Sequence, residues 1–246
     1  MKKNENISTK YVKDIKSADT WSVFKIIADF VKGFDELGEI GPTVTVFGSA
    51  RTPESDFYYQ QTQKLTYMLA QRGFNVMSGG GPGIMEAANR GAHEHGNVES
   101  IGLNIDLPFE QIPNPYTTKD LNFDYFFSRK VMLVKYSMAY VIFPGGYGTL
   151  DELFEALTLI QTRKVTGVKV FVVGKDFFEQ LLHFIKDKLL TSGMIDQADV
   201  DLICLTDDLE YVANEIEKSL NTQIDILKDE GLGDTTYFKS LKKFFE

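Results

Sequence analysis

The segment covering residues 139–152 constrains the fold of this chain more than any other part of the sequence. It opens with an apolar run of strand length and then passes through Pro144-Gly145-Gly146-Tyr147-Gly148-Thr149. Apolar residues recur at helical spacing directly afterwards, at Leu150, Leu153, Phe154, Leu157 and Ile160. The segment therefore predicts a β-strand, a glycine turn and an α-helix in immediate succession.

The predicted turn has the properties of an anion-binding site. Glycine lacks a Cβ, so backbone amides in such a turn can approach a ligand closely. The first amides of the helix have no intrahelical acceptor and lie at the positive end of the helix dipole. We therefore expect an anion, most often a phosphate, to bind the backbone of Gly145, Gly146, Tyr147, Gly148 and Thr149.

The rest of the chain repeats the alternation of strand and helix. Six apolar runs predict strands at residues 43–47, 74–77, 100–105, 139–143, 168–173 and 201–205. Strands that are apolar throughout are typical of a parallel sheet with helices on both faces. In the usual strand order 3-2-1-4-5-6, the first and fourth strands are neighbours, and a ligand binds outside their carboxyl ends. Residues 106–125, which include three prolines, are predicted to form a long connection.

Another glycine turn lies earlier in the chain between a predicted strand and a predicted helix, Ser78-Gly79-Gly80-Gly81-Pro82-Gly83; we call it the first glycine turn and residues 144–149 the second glycine turn. Together with Gly48 and Ser49 after the first strand, the two turns are predicted to form the walls of one crevice. Gly80 and Gly81 are expected to contact the ligand, although a tight bend that serves only helix–strand packing is the alternative. Neither turn has the Gly-x-Gly-x-x-Gly or Walker A pattern, which disfavours NAD and nucleoside triphosphates.

Three parts of the chain are distinguished by their patterns. Residues 41–222 are predicted to be the α/β domain, and residues 223–246 a tail. Residues 1–40 are predicted to be an extension whose helix begins at Thr20 and ends at Leu37. Its apolar stripe is interpreted as packing against the main domain, with contact to another subunit as the alternative; it consists of Trp21, Phe24, Ile27, Phe30, Val31 and Phe34.

Charge and composition exclude several classes of function. The formal net charge of −9 argues against nucleic acid as a partner, because binding the phosphate backbone requires a basic surface. The single cysteine, Cys204, permits no intramolecular disulfide.

We find neither a signal-peptide pattern nor an apolar run of the ~20 residues that a membrane span needs. We expect a cytoplasmic protein without a membrane partner. The histidines lack metal-ligand spacing, so no metal site is expected. We also expect no cofactor.

Charged residues near the turn allow two interpretations each. Thr149-x-x-Glu152 fits a capping box, in which Glu152 accepts a hydrogen bond from the Thr149 amide. The same spacing also places a carboxylate one turn beyond the predicted phosphate site, where it could face the sugar of a bound nucleotide. Arg129 and Lys130 either lie on the exposed face of a helix or reach a ligand phosphate or sugar. The residues alone leave these alternatives open.

Taken together, residues 78–85, Phe127-Ser128-Arg129-Lys130 and residues 144–152 resemble the Lonely Guy (LOG) family. The resemblance extends over about residues 43–205 and implies a Rossmann-like three-layer fold and a homodimer or higher homo-oligomer. Arg129 and Glu152 match the essential arginine and glutamate of the family, and residues 145–149 match its phosphate-binding turn. Thr158 matches a further substrate contact, and we assign the ligand-binding glutamate upstream of the arginine to Glu110.

The resemblance also implies a reaction. It is the hydrolysis of the N-glycosidic bond of a purine nucleoside 5′-monophosphate, AMP or an N6-modified AMP such as a cytokinin nucleotide, to free base and ribose 5-phosphate. The alternative is a carrier that binds a nucleotide or the molybdenum cofactor without chemistry. The family has also been labelled "possible lysine decarboxylase". That reaction would require a lysine that forms a Schiff base with pyridoxal phosphate, and no lysine here has a convincing site.

Overall fold

A computed structural model describes residues 19–106, 113–235, 238–239 and 241. Its strands are β1 (Thr43–Phe47), β2 (Asn75–Ser78), β3 (Ser100–Ile105), β4 (Lys119–Phe123), β5 (Ala139–Ile142), β6 (Lys169–Val172) and β7 (Ile203–Leu205). They form one sheet in the order β4-β3-β2-β1-β5-β6-β7. Every pair of neighbouring strands in it is parallel.

Helices lie before, between and after most of these strands in the chain. They are α1 (Asp19–Leu37), α2 (Phe57–Gln71), α3 (Ile84–His95), α4 (Phe126–Lys135), α5 (Tyr147–Gln161), α6 (Lys175–Phe184), which continues as a π-helix (Ile185–Leu190), α7 (Gln197–Val200) and α8 (Leu209–Asp229). Within the described ranges, no helix combines the length and the hydropathy needed to cross a bilayer. α8 extends across residue 222, so the predicted tail begins inside this helix.

The sheet separates two apolar cores. Helices α2, α3 and α8 contribute buried residues to one core, and α1, α4, α5 and α6 contribute to the other. Successive strand residues alternate between the two, so that Val76 belongs to the first core and Met77 to the second. The result is the predicted Rossmann-like, three-layer α/β arrangement, with the sheet buried between two layers of helices.

The prediction that the first strand, β1, lies next to β5, the strand before the glycine turn of residues 144–149, is confirmed. β1 pairs with β2 on one side and with β5 on the other. β3 and β4 follow outward beyond β2, whereas β6 and β7 follow beyond β5. The strand order therefore reverses between β1 and β5, and the turns at their carboxyl ends meet at this switch point.

The prediction of six strands is wrong, because the segment predicted as a long connection contains β4. This strand pairs with β3 at the edge of the sheet. Leu121 and Phe123 are buried, but Asp120 and Asn122 between and beside them are exposed. An edge strand with one polar face lacks the continuous apolar run by which the other strands were recognised.

The apolar stripe of α1 contacts the domain less than predicted. Of its six members only Phe30 is half-buried against the domain; Trp21, Phe24, Ile27, Val31 and Phe34 are exposed. α1 contacts α4 around Phe30, whose ring lies near the Phe127 ring, and at Gly33, which lies against Met132. The interpretation of the whole stripe as packing within the chain is therefore wrong, and contact with another subunit stays a prediction.

A buried carboxylate joins α1 to the start of α4. Asp29 is 3% exposed, and its Oδ2 accepts hydrogen bonds from the amides of Asp124 (2.9 Å) and Tyr125 (3.1 Å) and from the Ser128 hydroxyl (2.8 Å). Tyr125, the N-cap residue of α4, has no side-chain capping bond of its own. Asp29 therefore caps a helix from a different part of the chain, and this helix carries Arg129 and Lys130.

Replacing Asp29 with alanine is expected to lower the free energy of unfolding by roughly 2–3 kcal/mol, because buried donors at the start of α4 lose their acceptor. Urea denaturation measures the change. Asp29→Asn retains one acceptor oxygen and should lose less. Asp35→Ala, at an exposed position on the same helix, is the matched control and should stay within about 0.5 kcal/mol of the parent. Equal stability of the Asp29→Ala and Asp35→Ala proteins would contradict the capping role.

Candidate active site

The loop after β1 lies between the two glycine turns. The Ser49 amide donates a hydrogen bond to the Pro144 carbonyl at 3.0 Å, and the Ile84 amide donates to the Ser49 carbonyl at 2.9 Å. Gly48 has no space for a Cβ because Ile84 lies against it. The predicted proximity of residues 48–51 to residues 144–149 is confirmed, and Ser49 contacts both turns.

The glycines of the second turn serve different purposes. A Cβ on Gly145 would overlap the Thr149 hydroxyl, so this glycine allows the turn to close against α5. At Gly146 and Gly148, by contrast, a Cβ would meet no atom within 4 Å in the described part of the chain. Packing within the chain therefore does not explain these two glycines. Tyr147 between them is 93% exposed, so its side chain points away from the turn.

The first glycine turn accepts two hydrogen bonds from Asn114, a residue that the sequence analysis did not identify. The Asn114 amide donates to the Gly80 carbonyl at 2.9 Å, and its side-chain Nδ2 donates to the Gly81 carbonyl at 3.1 Å. Gly80 has a φ of +71°, a conformation that residues with a Cβ rarely adopt. Gly80 and Gly81 therefore direct their carbonyl groups toward Asn114, and whether they also contact a ligand stays a prediction. Only the Asx-like spacing Asn114–Tyr116 could have suggested this residue from the sequence.

Glu152 lies inside α5 and does not cap it. The helix begins at Tyr147 with Gly146 as its N-cap, so Thr149 is already helical and the capping-box alternative is wrong. Glu152 is 7% exposed, and its Oε2 has no hydrogen-bond partner among the described residues. Burial raises the pKa of Glu152 from 4.5 to about 7, although Lys130 and Arg129 act in the opposite direction. Both charge states of this carboxyl are therefore accessible near neutral pH.

Arg129 reaches the same region from α4, so the alternative of an exposed helix face is wrong. Its Nη1 lies 3.4 Å from the position that a Cβ on Gly79 would take, and it donates a 3.4 Å hydrogen bond to the Leu103 carbonyl. Its Nε is buried without a partner among the described residues. Burial lowers the pKa of Arg129, and the nearby Glu152 raises it. The guanidinium therefore retains donors for a further acceptor, beside the first glycine turn.

Lys130 binds carboxylates of α5. Its Nζ lies 2.6 Å from Asp151 Oδ2, 2.6 Å from Glu155 Oε2 and 4.0 Å from Glu152 Oε2. Burial alone would lower the pKa of Lys130, but the bonds to Asp151 and Glu155 outweigh it and the pKa is raised. α4 and α5 are thus tied together next to Glu152.

Thr158, a further predicted site residue, is not brought into this group. Thr158 is exposed on α5, where its hydroxyl donates to the Phe154 carbonyl at 2.7 Å. It lies six positions beyond Glu152, which on an α-helix is a different face. Glu110 lies outside the described residues. The structure therefore brings together Ser49, Arg129, Glu152 and the two glycine turns.

Comparison with known proteins gives one family match and several relatives. The family model described as "Possible lysine decarboxylase" matches residues 85–216. A rice (Oryza sativa subsp. japonica) protein named probable cytokinin riboside 5′-monophosphate phosphoribohydrolase LOGL5 is 31% identical over 156 residues, which are 62% of this chain and 62% of that protein. The Arabidopsis thaliana cytokinin riboside 5′-monophosphate phosphoribohydrolase LOG2 is 26% identical over 161 residues, 62% of this chain and 71% of that protein.

Among solved structures, the molybdenum cofactor binding protein of the phototrophic bacterium Rippkaea orientalis superposes with a TM-score of 0.55. The superposition covers 72% of this chain and 96% of that chain, at 18% sequence identity. At this identity the likeness concerns the fold alone. The chain also spans less than two thirds of the length of the rice relative.

Proposed function

Because the chain belongs to the LOG family, to which the "Possible lysine decarboxylase" model applies, we propose that it hydrolyses the N-glycosidic bond of a purine nucleoside 5′-monophosphate. The products would be the free base and ribose 5-phosphate. AMP and N6-modified AMP are the proposed substrates. The names of the relatives in rice and Arabidopsis, which specify cytokinin riboside 5′-monophosphates, support this substrate class.

One observation carries the proposal. A buried carboxylate and a buried guanidinium lie beside the glycine turns, and each has a polar atom without a hydrogen-bond partner among the described residues. These atoms are Oε2 of Glu152 and Nε of Arg129. Leaving such groups unpaired is costly, so a site of this kind is usually completed by a ligand or water. A ligand with both an anionic group and an electron-poor carbon would satisfy the two residues at once.

The phosphate of the substrate would bind at the start of α5. The backbone amides in the first helical turn of α5 have no intrahelical acceptors, and the helix dipole favours an anion there. Gly146 and Gly148 leave open space in which phosphate oxygens can approach the backbone. Glu152 lies one helical turn further on, which suits the ribose attached to that phosphate.

Glu152 would act at the anomeric carbon. Cleavage of the bond from C1′ to the base moves its electron pair onto the base and builds positive charge on the ribosyl ring, as in other glycosidic cleavages. The ionised carboxylate would stabilise that charge and accept a proton from the water whose oxygen bonds to C1′. The base leaves with a proton from solvent. A carboxyl with a pKa of about 7 can accept a proton at neutral pH.

Lysine decarboxylation receives no support from the geometry of the site. A lysine that forms a Schiff base must lose its proton readily, and a lowered pKa favours this. Lys130, the lysine beside Glu152, has a raised pKa because Asp151 and Glu155 hold its ammonium group. Its environment therefore opposes Schiff-base chemistry.

A ligand carrier is the second candidate, and the Rippkaea fold shows that this architecture occurs in a molybdenum cofactor binding protein. A carrier needs the phosphate-binding turn. It does not need a buried carboxylate beside the ligand, because no positive charge develops there without cleavage of the glycosidic bond. The burial of Glu152 therefore favours the enzyme.

Incubation of the purified protein with AMP is expected to release adenine and ribose 5-phosphate in equal amounts, as measured by liquid chromatography. Because phosphate contacts would position the sugar, adenosine should be cleaved at least roughly a hundredfold less efficiently than AMP. GMP, CMP and N6-prenyl-AMP, tested in parallel, define the base preference. Binding of AMP in calorimetry without adenine release would instead identify a carrier, and the absence of both would contradict the proposed function.

A further inference from the structure

Lys130 is embedded in a cluster of charges that its predicted role as a phosphate ligand does not explain. Its side chain is 14% exposed and lies between three carboxylates of α5: Asp151, Glu152 and Glu155. The two short contacts, both 2.6 Å, go to Asp151 and Glu155. Hydrogen bonds between ionised groups at this distance are among the strong ones in proteins. The ammonium group is therefore already engaged.

The charge balance also disfavours a phosphate at Lys130. Among the described residues, the charged groups that act on Glu152 are Arg129 and Lys130 on α4 and Asp151 and Glu155 on α5. With all three carboxylates ionised, three negative charges stand against two positive ones. A phosphate dianion bound at Lys130 would increase this excess of negative charge. It would also draw the ammonium group away from its contacts with Asp151 and Glu155.

We propose that Lys130 is a positioning residue for the reaction: its ammonium group, 4.0 Å from Glu152 Oε2, favours the ionised form of that carboxyl, and Asp151 and Glu155 hold Lys130 in this place. This inference rests on the proposed function, in which Glu152 must be ionised to act. It assigns to the lysine of the Arg129-Lys130 pair a role different from that of the arginine. Arg129 would contact the substrate, and Lys130 would act through Glu152.

The charges of the cluster predict in which direction each substitution shifts the pKa of Glu152. Burial is the main cause of the raised pKa of Glu152; Lys130 and then Arg129 lower it, whereas Glu155 and Asp151 raise it further. Removal of the Lys130 charge should therefore raise the pKa of Glu152. Removal of the Glu155 charge should lower it. A lysine that served only to bind phosphate would instead show its loss in the KM for AMP.

The test is a titration of Glu152 by NMR in protein with ¹³C-labelled glutamate side chains, with the Glu152 resonance assigned from its absence in Glu152→Gln. Lys130→Met is expected to raise the pKa by roughly one unit or more, the usual effect of an adjacent opposite charge. Glu155→Gln is expected to lower it, and Lys130→Arg should restore the parent value. In steady-state assays with AMP, Lys130→Met should shift the rising limb of the kcat profile to higher pH. Its KM, measured above that limb, should change less than about threefold.

A KM for AMP that rises roughly tenfold or more with an unchanged Glu152 titration would identify Lys130 as a phosphate ligand and overturn the proposal. An unchanged titration in Glu155→Gln would also overturn it, and this variant keeps the test valid if Lys130→Met does not fold. The titration needs no turnover. If the parent protein cleaves no AMP but the two variants shift Glu152 in opposite directions, the proposed reaction fails while the control of Glu152 by Lys130 stands.

Discussion

Replacement of Glu152 with glutamine is expected to reduce kcat for AMP hydrolysis by at least roughly a hundredfold, the usual contribution of a general base. Glutamine has nearly the same shape but can neither accept the proton of the attacking water nor carry the charge that stabilises the ribosyl ring. Its effect should therefore appear in kcat, with a smaller change in KM. Adenine release under saturating AMP measures it. Glu179→Gln, at an exposed position of α6, is the matched control and should retain the parent rate.

The stability of the Glu152→Gln protein distinguishes lost chemistry from lost structure. Because the pKa of Glu152 is raised to about 7 in the folded state, the folded protein binds the proton of this carboxyl more tightly than the unfolded chain does. This contribution to stability is present below the unfolded pKa and is lost as the pH rises through about 7. Glutamine cannot ionise, so the variant should melt at or above the temperature of the parent at pH 8. Near-normal turnover in a folded Glu152→Gln protein would end the assignment of a catalytic role.

Local patterns were sufficient to predict most of the fold. A strand, a glycine turn and a helix follow one another within residues 139–152, and each is specified by neighbours in sequence: apolar runs, residues without a Cβ, and apolar spacing of a helix. The adjacency of β1 and β5 followed from the usual order of such sheets. β4 was missed because its two buried residues, Leu121 and Phe123, alternate with polar ones at the edge of the sheet.

The site was less predictable because its decisive features are contacts between distant parts of the chain. The spacing of Thr149 and Glu152 is the same for a capping box and for a site carboxylate, and only the start of α5 at Tyr147 separates them. Lys130 and Glu155 are 25 positions apart. Asp29 lies 95 positions or more from the groups that it caps. No local pattern encodes such pairs, since each depends on how the helices pack against the sheet.

These distant contacts also link α1 to the site. Asp29 fixes the start of α4, and Arg129 follows one turn later. Lys130, the next residue, then ties α4 to α5 beside Glu152. Arg129 and Glu152 thus stand on helices that one buried carboxylate and one ammonium group help to hold in place. A displaced α4 would move Arg129 away from the first glycine turn.

The Arg129→Ala protein is expected to lose roughly two to three decades of kcat/KM for AMP, the usual cost of removing one preorganised donor to developing or bound charge. Two effects contribute, because the guanidinium both supplies donors next to Gly79 and lowers the pKa of Glu152. Assays from pH 6 to pH 9 separate them: activity lost through the pKa returns at high pH, whereas activity lost through the missing donors does not.

Arg129→Lys and Lys135→Ala complete this experiment. The lysine variant keeps the positive charge beside Glu152 but lacks the planar fork that can bind two oxygens of a phosphate or ribose, so it should restore the pH profile and leave kcat/KM depressed. Lys135 is exposed at the end of α4, and its removal should leave kcat/KM unchanged. An Arg129→Ala protein with kinetics equal to those of Lys135→Ala would show that the buried guanidinium stabilises α4 against β3 and takes no part in binding the nucleotide.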